Sequence, residues 1–250
     1  MFSAAGDYDR FMGRYSMLLA PQMADLANVK AGQHVLDVGC GPGALTGELV
    51  RRVGAANVSA VDPSEPFIAA VRARYPGVAA GVAPAEALPF TNGSFDAAIA
   101  QLVVHFMKDP VGGVREMARV TKTGGAVAAC VWDNAGETGP LGAFWQYAHE
   151  IDPNFEGQDK RVGTKEGDLI RVFEEAGLRD VTGTMVVARI TLPSFDAWWQ
   201  PFELGVGPAG ALVAKLEPAH RVQLRDRLRE AMPKGDFHQD ARAWAARGTV

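Results

Sequence analysis

The stretch V-L-D-V-G-C-G-P-G, from Val35 to Gly43, leaves few folds open to this chain. A β-type run, Gln33 to Asp37, enters a glycine-dense turn. Ala44 to Val53 follows, with Leu45, Leu49, Val50 and Val53 at helical spacing. Strand, glycine turn and helix is the layout in which a nucleotide-like ligand lies across the strand's carboxyl end, with backbone N–H groups pointing at it. Glycine is needed where a ligand comes close to the backbone and the chain must turn without a Cβ in the way.

Gly39, Gly41 and Ala44 satisfy G-x-G-x-x-G/A, a dinucleotide fingerprint that by itself specifies little. Asp37 breaks the tie. A carboxylate at the strand's end faces the ligand, and a pyrophosphate there meets like charge at a cost on the order of 1 kcal/mol or more. A ligand with an ammonium and a sulfonium is attracted instead, and S-adenosylmethionine is such a ligand. At the end of the next strand, Asn57 to Asp62, the carboxylate of Asp62 is placed to accept both ribose hydroxyls of an adenosine ligand. Pro63 and Ser64 open the helix after it, so a capping role for Asp62 competes with that reading.

D-V-G-C-G-P-G resembles the first motif of class I S-adenosylmethionine-dependent methyltransferases, particularly the methyltransferase type 11 subgroup that includes the ubiquinone/menaquinone-biosynthesis methylases. The likeness runs over roughly Tyr8 to Asp133, about half of the chain. It takes in Y-D-R-F-M-G-R-Y-S near the N-terminus, T-N-G-S-F-D at Thr91 to Asp96, and R-V-x-K-x-G-G at Arg119 to Gly125. The resemblance implies a doubly wound α/β fold with a mostly parallel seven-stranded sheet, the last strand antiparallel. It also implies donor contacts from Arg14, Asp37, Gly39, Cys40, Gly41, Asp62, Pro63, Ala85, Glu86 and Gln101, with Arg14 at the donor's carboxylate. Two positions depart from the family. Pro84 stands where an aspartate commonly contacts the adenine amine, which leaves that edge to the backbone of Ala85 and to Glu86. Thr123 replaces a common turn proline.

Composition narrows the alternatives. The 250 residues, 48% hydrophobic and 22% charged, suit one α/β domain with insertions. A net charge of −4 gives no global field for a phosphate backbone, so no nucleic-acid partner is expected. Cys40 and Cys130 have neither metal-ligand nor disulfide spacing, and no metal is expected. No secretory pattern or membrane-length apolar run is read, so the expected location is the cytoplasm, without membrane association.

Residues 1–30 read as an N-terminal helical lid: Tyr8 to Leu19 is amphipathic, and a second helix covers Pro21 to Ala27. Residues 31–133 form the donor-binding half. Its third strand is Gly77 to Ala83, its fourth Phe95 to Leu102, its helix Asp109 to Val120, and its fifth strand ends at Trp132. Gln101 and His105 lie where the fourth strand ends, Ala100 to Phe106, on the crevice side, and His105 is the candidate proton acceptor. A hydrogen-bonded scaffold histidine is the bland alternative.

Residues 134–165 and 193–239 are cap insertions, and the remainder completes the sheet: a helix Lys165 to Ala176 and strands Val181 to Leu192 and Ala241 to Val250. Pro193-Ser194 caps a helix bearing Phe195, Trp198, Trp199 and Phe202, which Pro201 should end or kink. Pro218 to Ala231 is a further helix. Tyr8, Trp132, Trp145, Trp198 and Trp199 are candidates for an apolar or aromatic acceptor pocket, against a cap that packs only on itself. The expected reaction is in-line transfer of a sulfonium methyl to a small-molecule acceptor, leaving S-adenosylhomocysteine. Oxygen, nitrogen and carbon acceptors all remain open. A nicotinamide-dependent oxidoreductase and a non-catalytic donor-binding module are the competing classes.

Overall fold

The computed structural model describes residues 9–152, 155, 160–205 and 207–250, so Tyr8 lies outside the described residues. Seven strands form one sheet: β1 Val35–Val38, β2 Val58–Asp62, β3 Ala79–Val82, β4 Phe95–Gln101, β5 Thr121–Trp132, β6 Arg179–Leu192 and β7 Phe237–Thr249. Their order is β3-β2-β1-β4-β5-β7-β6, and β7 runs antiparallel to both β5 and β6. This is the doubly wound α/β sheet expected. The order reverses between β1 and β4, and ligands of such sheets bind outside the carboxyl ends at that point.

Central strands covered on both sides must be apolar on both, and these are. Val35, Ala97, Ile99, Ala126, Ala128 and Cys130 pack into one layer, while Leu36, Val38, Ala98, Ala100, Val127 and Val131 pack into the other. The first layer takes α1 (Arg14–Leu26) and α2 (Ala44–Val53). The second takes α4 (Pro110–Val120) and α6 (Asp168–Glu175), with α3 (Glu65–Arg74) joining β2 to β3 and packing its Ile68 and Val71 into the first layer. Strand alternation has a direct consequence. Asp62, Asp37, Gln101 and Trp132 share the parity of the first layer, so the ends of β2, β1, β4 and β5 carry them on the face that α1 and α2 cover.

The lid is one helix rather than two. A wide helical turn, Asp9–Gly13, leads into α1, which continues through Pro21. The missing N–H of Pro21 frees the carbonyl one turn earlier, at Met17, whose residue is 61% exposed on the solvent side. Gln22 then ties the turn down, its Nε2 donating to the carbonyls of Leu18 and Val187, both at 2.9 Å.

The cap contains α5 (Gly142–Ile151), α7 (Phe195–Glu203), α8 (Gly207–Lys215) and α9 (Pro218–Ala231). α8 was not expected from its Gly- and Ala-rich composition. α7 runs two residues past Pro201, and Ser194 caps it by accepting from the N–H of Ala197. Phe144 and Phe202 stack at 4.8 Å and 3°, while Trp198 and Trp199 lie 4.8 and 5.5 Å from Phe202. Phe11, in the turn before α1, meets Phe202 edge-on at 5.4 Å. One aromatic core therefore joins the lid to both insertions. Among the described residues, no helix is long and apolar enough to cross a membrane.

Candidate functional site

A narrow cleft of about 30 Å³ opens where β1 and β4 end, lined by Ser16, Asp37, Gly39, Cys40, Gly41, Pro42, Ala44, Leu45 and Gln101. Asp37 is 1% exposed. Its Oδ2 accepts a 2.6 Å hydrogen bond from the Thr46 hydroxyl, and its Oδ1 is buried with no partner. Gln101 Nε2 donates to the carbonyl of Ser16 at 2.9 Å, which fixes the amide's orientation and leaves its Oε1 buried without a donor. Two adjacent strand ends thus bring two unsatisfied acceptors to one cleft. Such atoms cost roughly 1–3 kcal/mol each until a donor reaches them.

The glycine turn is shaped by its own hydrogen bonds. Gly39 and Cys40 donate to the carbonyl of Val61 at 2.7 and 2.9 Å, Gly43 donates to the carbonyl of Cys40, and Gly41 donates to Asp62 Oδ2 at 2.9 Å. Every one of these N–H groups is already engaged by protein, so the turn does not offer the array of free donors that a pyrophosphate requires. Gly41 has φ +52°, and a Cβ built on it would meet nothing within 4 Å. The residue is glycine for its backbone conformation, and open space lies on its outer side.

Charge in the cleft is one-sided. Burial, with a smaller push from Asp62, raises the Asp37 carboxyl to about 7 despite the Thr46 hydroxyl, which acts the other way. Asp62 is raised by burial too, against hydrogen bonds from the N–H groups of Ser64 and Gly41. The Cys40 thiol is pushed up by burial and then by both carboxylates. Among the described residues, no lysine or arginine lines the cleft. Its chemistry therefore fits a cation that donates hydrogen bonds.

Other sequence candidates occupy different places. Exposed Pro63 follows Asp62. Ala85 is buried, and Glu86 braces the chain beyond β4 by accepting from the N–H of Lys108 at 2.7 Å. Arg14 donates to the carbonyl of Phe11 at 3.1 Å and lies 5.5 Å from the Tyr15 ring, outside the cleft lining. His105 sits in a short turn, Val104–Phe106, past β4. It is 6% exposed with Nδ1 unpartnered, and burial first and Arg161 second lower its imidazole to about 3. Trp132 packs edge-on against Tyr15 at 6.2 Å. Trp145, Trp198 and Trp199 belong to the cap's aromatic core, and none of the four lines the cleft.

Ser16, Thr46 and Arg161 were missed from sequence. Thr46 had a legible signal: a hydroxyl amid Leu45, Leu49 and Val53 on the buried side of α2, one turn from the glycines.

A family profile described as a methyltransferase domain matches residues 36–129. An uncharacterized methyltransferase of Mycobacterium tuberculosis is 35% identical over 135 residues, 54% of this chain and 52% of that protein. A malonyl-[acyl-carrier protein] O-methyltransferase of Erwinia billingiae is 32% identical over 143 residues, 57% of this chain and 55% of its own. The chain therefore spans about half the length of the curated relatives it matches. Among solved structures, geranyl diphosphate C-methyltransferase from Streptomyces coelicolor, in complex with Mg2+, geranyl diphosphate and S-adenosyl-L-homocysteine, superposes with a TM-score of 0.53. That match covers 92% of this chain and 78% of the other at 16% identity, a likeness of fold. The matched residues begin just before the glycine turn, so over that stretch the chain resembles a methyltransferase domain, and the sheet built around it has the fold of solved methyltransferases.

Proposed function

We propose that the chain binds S-adenosylmethionine in the Asp37–Gln101 cleft and transfers its methyl group to a small-molecule acceptor with an apolar or aromatic body. The observation that carries this reading is the pair of buried, partnerless oxygens, Asp37 Oδ1 and Gln101 Oε1, beside a turn whose own N–H groups are engaged. An ammonium supplies the donors and the charge those oxygens lack. A pyrophosphate would meet carboxylates where it needs donors, which argues against a nicotinamide coenzyme.

Bound S-adenosylmethionine supplies an already activated sulfonium methyl. The chain's own share is then placement and exclusion of water. Asp37 holds the ammonium, with Thr46 fixing the carboxylate's rotamer. Gly39, Cys40 and Gly41 let the ligand lie against the backbone. Asp62 and Pro63 receive the ribose, Ala85 and Glu86 border the adenine, and Arg14 on the lid reaches the carboxylate. His105 and Trp132 stand on the acceptor side. His105 is kept neutral by burial, which also makes it a weak base, so it can take a proton only from acceptors that lose one readily.

The cleft's present volume is far below the roughly 300 Å³ or more of ordinary small-molecule sites, so α1 must withdraw before a donor enters. Calorimetric titration with S-adenosylhomocysteine tests the assignment. Binding is expected for the native chain, with no response to NAD or NADP. Asp37→Ala should weaken binding at least tenfold, about 1.4 kcal/mol. Unchanged affinity would remove Asp37 from the site. Normal binding with no methyl transfer to a broad acceptor panel would instead indicate a non-catalytic binding module.

A further inference from the structure

We propose that Arg161, lying over the exposed ring of Phe106, binds an anionic group of the methyl acceptor: a carboxylate or phosphate on an apolar body. The inference rests on the methyltransferase reading above and extends it to the acceptor's chemistry.

Arg161 differs from the arginines of this chain that are held in short ion pairs. Arg52, Arg119, Arg189 and Arg229 each lie within 2.7 Å of a carboxylate oxygen. Exposed Arg161 has no carboxylate partner among the described residues, and its Nη1 donates to the carbonyl of His105 at 3.3 Å. Its guanidinium carbon sits 5.3 Å from the centroid of Phe106, within cation–π range. That stacking holds one face of the ring and leaves the guanidinium's fork for a planar anion. Lys160 and Lys165 flank it, both exposed and neither in an ion pair among the described residues.

Phe106 supplies the apolar half of the site. It is 57% exposed, an unusual cost for a phenylalanine, and its ring lies 3.9 Å from the imidazole of His105. The turn that carries both follows β4, whose last residue, Gln101, lines the donor cleft. His105 adds an independent sign of an absent partner, since its Nδ1 is buried and makes no hydrogen bond. An anion at Arg161 would offset the positive charge that now disfavours protonation of this ring. One ligand would thereby satisfy the guanidinium, cover the phenylalanine and remove the smaller of the two causes that hold His105 neutral.

The test uses the full chain saturated with S-adenosylhomocysteine, and saturation, measured first, reports on the donor site alone. Naphthoate, naphthyl phosphate and the neutral naphthamide are then titrated in. Binding is followed by calorimetry and by the His105 imidazole resonances. At least one of the two anions is expected to bind tenfold or more tightly than the amide, and the stronger of them names the anion class. The bound anion should move His105 toward protonation. Arg161→Gln should abolish the preference and the His105 response, Arg161→Lys should restore part of both, and affinity for S-adenosylhomocysteine should stay within twofold. Equal affinity for acid and amide, absence of saturable anion binding, or a preference that survives in Arg161→Gln overturns the proposal.

Discussion

Asp37 carries two opposed demands, and its surroundings show how they are balanced. Burying a carboxylate without a counter-ion disfavours its charged form, and here the group is raised to about 7. Because the folded value lies above the unfolded one, Asp37 contributes stability that is complete below about pH 4 and lost as pH rises through 7. Cation binding has the opposite sign, since the carboxylate must first give up its proton. Affinity for S-adenosylhomocysteine should therefore climb between pH 5.5 and 7.5, approaching tenfold per unit at the acid end. Asp37→Asn keeps the acceptor for Thr46 and removes the ionisation. It should abolish the climb, weaken binding at least tenfold at pH 8, and leave the ligand-free protein at least as heat-stable as the native chain at that pH. A pH-independent affinity in the native protein would mean that Asp37 is already ionised or takes no part. Asp37 was legible in the sequence because strand parity and a neighbouring glycine turn are local facts. Arg161 was not, because its contact with His105 joins positions 56 residues apart that only the folded sheet edge brings together.

At the level of elements, the proposed entry of the donor depends on α1, which contributes Ser16 to the cleft lining. Several side-chain bonds fasten this helix, and Arg52 adds contacts to Asp25 and the carbonyl of Pro21. Tyr15 donates to Gln239 Oε1 at 2.7 Å, Gln22 donates to the carbonyl of Val187, and Gln101 donates to the carbonyl of Ser16. On the proposed reading these contacts hold down the open form that admits a donor, so loosening one should raise it. Removing a hydrogen bond of this kind costs about 1 kcal/mol. Tyr15→Phe should accordingly speed association of S-adenosylhomocysteine several-fold in stopped-flow fluorescence. Its dissociation should quicken as well, so affinity should change less than either rate. An unaltered association rate would show that α1 does not limit entry. Apolar spacing was enough to find this helix but not its continuity. Proline reads as a stop, and continuation depended on Met17 facing solvent and Gln22 meeting β6, both tertiary facts. The strands β1, β2 and β4 and the second half of β5 were legible for the opposite reason. Burial on both faces makes them nearly uninterrupted apolar runs, and turn residues mark their limits.

Across the whole molecule, the aromatic core decides whether lid, cap and sheet behave as one body. Phe202 is fully buried and touches Phe11 before the lid helix, Phe144 in the first insertion, and Trp198 and Trp199 in its own. The spacing of these residues identified amphipathic helices but not their partners, because helical periodicity shows which face is buried and not what covers it. Truncation of a core phenylalanine costs roughly 3–5 kcal/mol, and a chain of this size loses roughly 2–4 °C of melting temperature per kcal/mol. Phe202→Ala should therefore melt at least about 6 °C lower by calorimetry. If the core couples the cap to the sheet, the variant will still unfold in one transition, and saturating S-adenosylhomocysteine will raise its midpoint as it does for the native chain. Two separated transitions, with only the later one moved by ligand, would show that the cap melts on its own and that the donor cleft keeps its form without it. The first outcome ties acceptor-side packing to donor binding through Phe11 and α1. The second would confine donor recognition to the ends of β1, β2 and β4.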